Sequence, residues 1–414
     1  MKQGPGTDDW SQPPDTRSKG GRSSRSSLPW LSLLVAGLWV SPISAAPNFE
    51  AQVIDPSISI GYGLAIGDVN GDGKDDILLA DKKDFFWYEN PSWKRHLFWQ
   101  VAEGGARESM RDNVAIAARD LDGDGKVEVA VGTNWNPGET SDREKSGGVW
   151  FVGSLGKIQP KKLPHDPTTH RMHWVRGDGE YLLVVAPLHG RDNKGGTGEN
   201  GTRIHAYHAG DDPYASVWER SVAHDQFHKT HNLDPFSIEG RDSESFVLAG
   251  GEGLALVQRR NGAWQSRHTE SLSNGAGEAR VGKVDDRGVP QAIAAIEPMH
   301  GNNVVVYERR GNEWNRKVLD DSLNQGHALL VADVMQIGRP QIVAGWRNRD
   351  ARQRVGIRLY EPNGNGSWTT HLIDDDQMAC EDVKAADLDQ DGDLDLIASG
   401  RSTKNVIIYW NKLK

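Results

Sequence analysis

The stretch GDVNGDGKDDILLA, Gly67–Ala80, sets oxygen-bearing side chains at alternate positions and then turns abruptly apolar. It returns as RDLDGDGKVEVAVG (Arg119–Gly132) and as ADLDQDGDLDLIASG (Ala386–Gly400). In the first copy Asp68, Asn70, Asp72 and Asp76 hold positions one, three, five and nine, with the Lys74 carbonyl at seven. The second copy places Asp120, Asp122, Asp124 and Glu128 in the same way around Lys126. The third has Asp387, Asp389, Asp391, Asp393 and Asp395. Hard oxygen ligands at this spacing wrap Ca2+, and the intervening glycines permit the tight turn. The flanks read as strands and no Glu stands at position twelve, which excludes an EF-hand. Calcium at up to three such turns is the expectation.

Aligning the chain on this loop exposes a repeat of roughly fifty residues, a period that belongs to propellers and arrays. Each unit has an apolar strand, a turn, a second strand of Val, Ile, Leu and Ala ending near Gly, and two further strands. Besides the three acidic copies, HALLVADVMQIGRPQIVAGW and EARVGKVDDRGVPQAIAAI fit, as do the more degenerate HWVRGDGEYLLVVAP and PFSIEGRDSESFVLAG. That makes seven units, and the middle four lack the calcium ligands. The last unit stops after its third strand, NVIIYWN, whereas NFEAQVID near residue 48 resembles the fourth-strand segments WTTHLID and WNRKVLD. An N-terminal strand that completes the last blade would close the ring and remove its free edges. The expected fold is all-β, a seven-bladed β-propeller closed in this way and spanning residues 47–414.

The composition narrows the function classes. A formal net charge of -10 over 414 residues, with scattered Lys and Arg, argues against a nucleic-acid binder, which needs a basic stripe. Cys380 is the lone cysteine and can form no internal disulfide. Residues 1–46 read as a leader and export signal: Arg22 and Arg25, an apolar run from Leu28 to Val40, then SPISAAP. A secreted, periplasmic or otherwise extracytoplasmic protein follows. An uncleaved anchor is the alternative, because Leu28 to Ala46 is just long enough to span a bilayer.

The units resemble FG-GAP (VCBS-type) repeats, known from integrin-like propellers and secreted bacterial proteins. That resemblance implies fold and structural calcium, not function. The acidic turns occupy one face, so chemistry is expected on the other, around the channel mouth. The loops there carry His189, His231, His300 with Asn302, His327, Trp135, Arg280, Trp346 with Arg347, and Arg401. Histidine supplies a base near neutral pH or a transition-metal ligand, so a further divalent metal in the channel is a second expectation.

EPMHGNNVVVYER, NQGHAL and IVAGWR are similar to the propeller of the aldos-2-ulose dehydratase group, and several polysaccharide lyases are also seven-bladed. These likenesses imply β-elimination on a carbohydrate or oxidised sugar. His300 or His327 would then be the base, with His189 also catalytic. Arg347 would neutralise enolate-like charge, and Trp135 or Trp346 would stack on the sugar beside Asn302, Arg280, His231 and Arg401. The competing reading is a non-catalytic propeller that binds glycan or protein. No nucleophile elbow, zincin helix or phosphate loop is present.

Overall fold

The apolar runs that follow the acidic turns are buried at every residue: Asp76–Ala80, Glu128–Gly132 and Asp395–Gly400. A strand so buried needs a covering layer on each face, which explains why these runs do not alternate. The computed structural model supplies the layers as seven four-stranded antiparallel sheets, each the neighbour of the next. It describes residues 46–99, 112–193, 197–215, 217–237, 242–285 and 288–413. The expected leader and signal therefore lie, but for Ala46, outside the described residues.

Blades 1 to 6 occupy residues 63–99, 115–163, 169–224, 230–267, 278–320 and 326–375. Blade 7 takes three strands from residues 380–411, and its outermost strand is Phe49–Asp55, antiparallel to Val406–Asn411. Each innermost strand touches the next, and Cys380–Ala386 touches Gly63–Gly67, which closes the ring. The core is split accordingly. Each of the seven apolar clusters lies between two blades, including one that joins blade 7 to blade 1 through Ile397, Ile408, Leu64 and Tyr88. The fourth strands face solvent and are correspondingly polar, as in EWNRKVLD.

Polar ties cross the seams. The Tyr409 hydroxyl of blade 7 donates to Asp374 (2.9 Å), at the end of the outer strand of blade 6. Tyr360 of blade 6 does the same to Asp320 (2.7 Å) of blade 5. Tyr88 of blade 1 reaches Asp55 (2.8 Å) on the N-terminal strand. Burial alone would raise Asp55, but the Tyr88 and Ser57 donors and Arg95 outweigh it and hold the carboxyl below its ordinary value. Asp55→Ala should therefore unpair a buried phenol at the closing seam. The expected loss is about 1–3 kcal/mol, read as a lower urea midpoint, while Glu50→Ala on the exposed face of the same strand should change little.

Candidate functional site

The acidic turns form one face. In loop 1, Asp68 accepts the backbone N–H groups of Gly71 (2.6 Å) and Gly73 (2.7 Å), and both glycines adopt a positive φ that the absence of a Cβ permits. Asn70 and Asp72 accept from the next backbone N–H groups, Asp72 from that of Lys74 (3.0 Å). Asp120, Asp122 and Asp124 converge within 4.8 Å of one another, as do Asp387, Asp389 and Asp391. The ninth-position carboxylates do not join these groups. Asp76, Glu128 and Asp395 are buried beneath the turns, where they accept the N–H groups of Val69, Leu121 and Leu388. Burial pushes Asp76 and Asp395 up to about 6.

The corresponding turns of blades 5 and 6 are wired differently. Gln291 and Gln341 each donate a side-chain N–H to the turn's first aspartate, Asp285 or Asp333 (3.2 Å each). A neutral amide supplies the positive pole internally. No such donor faces the acid clusters of blades 2 and 7, and Asp387 Oδ1 is buried without a partner among the described residues. The donor chemistry of the three acidic turns fits a hard cation, and that of blades 5 and 6 does not require one.

At the opposite mouth, a repeated backbone irregularity aims the side chains. Pairing in blade 3 runs Thr169 to Pro187 and then Arg171 to Ala186, stepping over His170. The same step passes over His231 in blade 4, His327 in blade 6 and Glu381 in blade 7. A bulge leaves its extra residue unpaired and re-aims its side chain. Here the freed side chains meet. His231 Nε2 stands 2.7 Å from His300 Nε2, and the ring of His327 lies 5.0 Å from His231 and 5.1 Å from His300. One nitrogen from each of the three falls within 4.8 Å of the others.

The tautomers follow from the hydrogen bonds. His170, His231 and His327 donate Nδ1–H to the carbonyls of His231 (2.7 Å), Gly277 (2.9 Å) and Glu381 (2.7 Å), one blade onward each time. Their Nε2 lone pairs are thus turned to the mouth. With no metal bound, His300 Nε2–H donates to His231 Nε2. Burial holds His170 and His327 far below the ordinary imidazole value and His231 below it, and it pushes His300 down to about 3. All four rings are neutral at pH 7.

Carboxylates and guanidiniums surround them. Glu381, 1% exposed, pairs with Arg347 (3.1 Å) and Arg401 (3.1 Å). Glu278 sits 3.3 Å from His231 Nδ1 and pairs with Arg280 (3.1 Å). Arg171 donates only to the carbonyls of Val114 and His170, and no carboxylate pairs with it among the described residues.

The structure thus gathers His231, His300, His327, Arg347 and Arg401, with Trp135 beside His170 (ring centroids 4.7 Å). It does not gather the others. Trp346 is fully buried in the seam between blades 5 and 6, donating to the Arg354 carbonyl under the Arg358 guanidinium, so it offers no stacking face. Arg280 lies deeper, lining the channel with His173 and Lys384 and held by Asp234 (3.3 Å). Asn302 is exposed and donates to the Asp321 carbonyl. His189 is buried against Thr168, outside the triad, with burial lowering it to about 4.

Sequence reasoning missed Arg171 and Tyr62, whose ring lies 5.3 Å under the Arg401 guanidinium. A signal existed for Tyr62: Tyr62, His327 and Glu381 each stand six residues before the first aspartate of their turns, Asp68, Asp333 and Asp387.

A model of the FG-GAP-like repeat matches residues 68–131, the first two acidic turns. The chain is a β-propeller with FG-GAP repeats. No curated protein matches it in sequence. Among solved structures, a chain in the crystal structure of BBS1N in complex with ARL6DN is similar at TM-score 0.54 and 14% identity, over 90% of this chain and 98% of that one. A chain of the Mitotic Checkpoint Complex gives TM-score 0.54 at 10% identity, over 93% and 98%. The extracellular domain of the putative hybrid two component system BT4673 from B. thetaiotaomicron gives 0.50 at 11%, over 87% of this chain and 39% of that one. At these identities the likeness of the FG-GAP propeller to them concerns the fold alone.

The depressed imidazoles fix the sign of one pH effect. Because folding lowers the His300 pKa, its contribution is intact above about 6.5 and is lost as the pH falls toward about 3. Asp76 and Asp395 act in the opposite sense, since folding raises them. In metal-free protein, the drop in melting temperature between pH 7 and pH 4 should therefore be smaller in His300→Gln than in the wild type.

Proposed function

We propose that the FG-GAP propeller is an exported, carbohydrate-active enzyme that carries out metal-assisted β-elimination at the mouth opposite its acidic turns. The reading rests on one observation, the convergence of His231, His300 and His327 as neutral imidazoles, the first and last buried and His300 half-buried, within 4.8 Å of one another. Three imidazoles with an open side suit a divalent transition metal. Bound there, such a metal would supply Lewis-acid polarisation of a carbonyl or carboxylate oxygen. This moves His300 and His327 from the role of base to that of ligand.

The remaining groups fit the other tasks. Trp135 offers its face to a sugar ring. Arg171, with Arg347 and Arg401 steadied on Glu381, meets a carboxylate or carbonyl and the negative charge that grows on it. His170, its Nε2 free and its Nδ1 committed, takes the proton from the carbon next to that group. The C–H electron pair becomes the new C=C bond, and the β C–O bond breaks with its pair leaving on oxygen. Tyr62, raised by burial, stays protonated and can return a proton to that oxygen. The acidic turns are assigned structural calcium at Asp68, Asp120 and Asp387 and their partners, which braces blades 1, 2 and 7.

The protein should be incubated with uronic-acid polysaccharides and keto-sugars while product absorbance is followed in the ultraviolet. A rising band, abolished in His327→Ala and reduced at least tenfold in His170→Ala, is the expected result. A flat trace with the sugars still bound would replace the enzyme reading with glycan recognition. Metal analysis should find calcium plus one transition metal per chain. His300→Ala should lose only the transition metal, whereas Asp389→Asn should lose only calcium and melt at lower temperature.

A further inference from the structure

A second site lies at the seam between blades 7 and 1, on the acidic-turn face. Trp93 and Trp410 form the corner of a groove of about 350 Å³, their rings 6.0 Å apart and inclined at 52°. Trp93 is held in a left-handed conformation (φ 52), uncommon for so large a side chain, within the tight turn closed by its N–H on the Glu89 carbonyl. Trp410 is partly exposed and donates its indole N–H to Gln52 (2.7 Å), which fixes the ring and leaves its face toward the groove.

The rim is amide-rich. The Gln52 side-chain N–H groups and the Gln390 side-chain carbonyl have no partner among the described residues, while the Gln390 N–H bridges the seam to the Gly73 carbonyl (3.1 Å). Lys74 and Asp389 add one charge of each sign, so the groove has no net preference for an ion. Trp93 is also buried in the apolar cluster between blades 7 and 1, with Trp410 packed against it, so each indole turns only part of its surface to the groove.

We infer that the Trp93–Trp410 groove binds a neutral sugar residue of an oligosaccharide, separately from the mouth. Indole faces take the apolar side of a pyranose, and uncommitted amide groups take its hydroxyls. A charged ligand would find no surplus partner, since Lys74 and Asp389 offset each other. Two walls of the groove stand on acidic turns, through Lys74 on one and Asp389 and Gln390 on the other. The site does not depend on the mouth chemistry.

Titration calorimetry with cellopentaose, mannopentaose and xylopentaose tests this on the intact protein. At least one should bind, and Trp410→Ala should weaken it by about tenfold or more. Gln52→Ala, on an exposed strand position, guards against misfolding of the tryptophan variant and should weaken binding several-fold. His300→Ala should leave the affinity unchanged. Absence of binding by all three sugars, affinity untouched by both groove variants, or binding lost only in His300→Ala would each overturn the inference. Failure of the mouth as an enzyme would leave these outcomes as they are.

Discussion

The ring stands on a carboxylate placed where one blade ends and gripped by the blade that follows. Asp55, Asp320 and Asp374 close outer strands, and Tyr88, Tyr360 and Tyr409 reach across to them. A propeller has no single core; its apolar area is divided among seams, and each seam must fix the angle between two sheets. Dispersion alone fixes distance well and orientation poorly. A buried phenol on a buried carboxylate fixes both, since leaving either unpaired costs more than the bond itself contributes. The acidic turns add a second tie of the same kind. The backbone N–H of Asn90 rests on Asp76 (2.8 Å), while its side chain crosses to the Leu388 carbonyl of blade 7 (2.8 Å). Asn411 repeats this with Asp395 (2.9 Å) and the Val334 carbonyl of blade 6 (2.8 Å).

These ties explain what was legible in the sequence. VID, VLD and LID recur because three outer strands close on an aspartate that the next blade grips, which is why NFEAQVID reads as a fourth strand. The all-β ring of seven blades followed from the same period. The acidic turns were readable as turns because Asp, Asn and Gly recur at fixed spacing within one loop. Their ninth residue is a buried carboxylate that answers backbone N–H groups beneath the turn, an arrangement that spacing alone does not announce.

The mouth was only half legible, for a different reason. Its residues come from all seven blades, and four of them, His170, His231, His327 and Glu381, are aimed by a one-residue bulge that composition does not announce. Arg347 and Trp346 are adjacent, so they point to opposite sides of their strand, and only the arginine reaches Glu381. Glu278 and Arg280 are two apart and share a side, which carried Arg280 down the channel rather than to the mouth. Tyr62 was invisible as a site residue because a tyrosine near a strand start reads as core until it is aligned with His327 and Glu381.

The separation of the two faces has a physical consequence. Neutral imidazoles crowded at the mouth require low polarity and fixed hydrogen bonds, and they receive both from inner strands whose bulges are locked to the neighbouring blade's carbonyls. Each of those carbonyls belongs to the next inner strand or to the residue just before it, so a shift at one seam would move every ring donor downstream of it. The acidic turns stand on the far side of the same sheets, clustered on blades 7, 1 and 2, where the chain closes on itself. The ties made by Asn90 and Asn411 fall at the same place, where the ring is joined by hydrogen bonds between Phe49–Asp55 and Val406–Asn411 rather than by the chain. The histidine cluster is carried by blades 4, 5 and 6, and the turns of blades 5 and 6 are wired by glutamine. A mouth built there draws its geometry from seams other than the one where the ring closes.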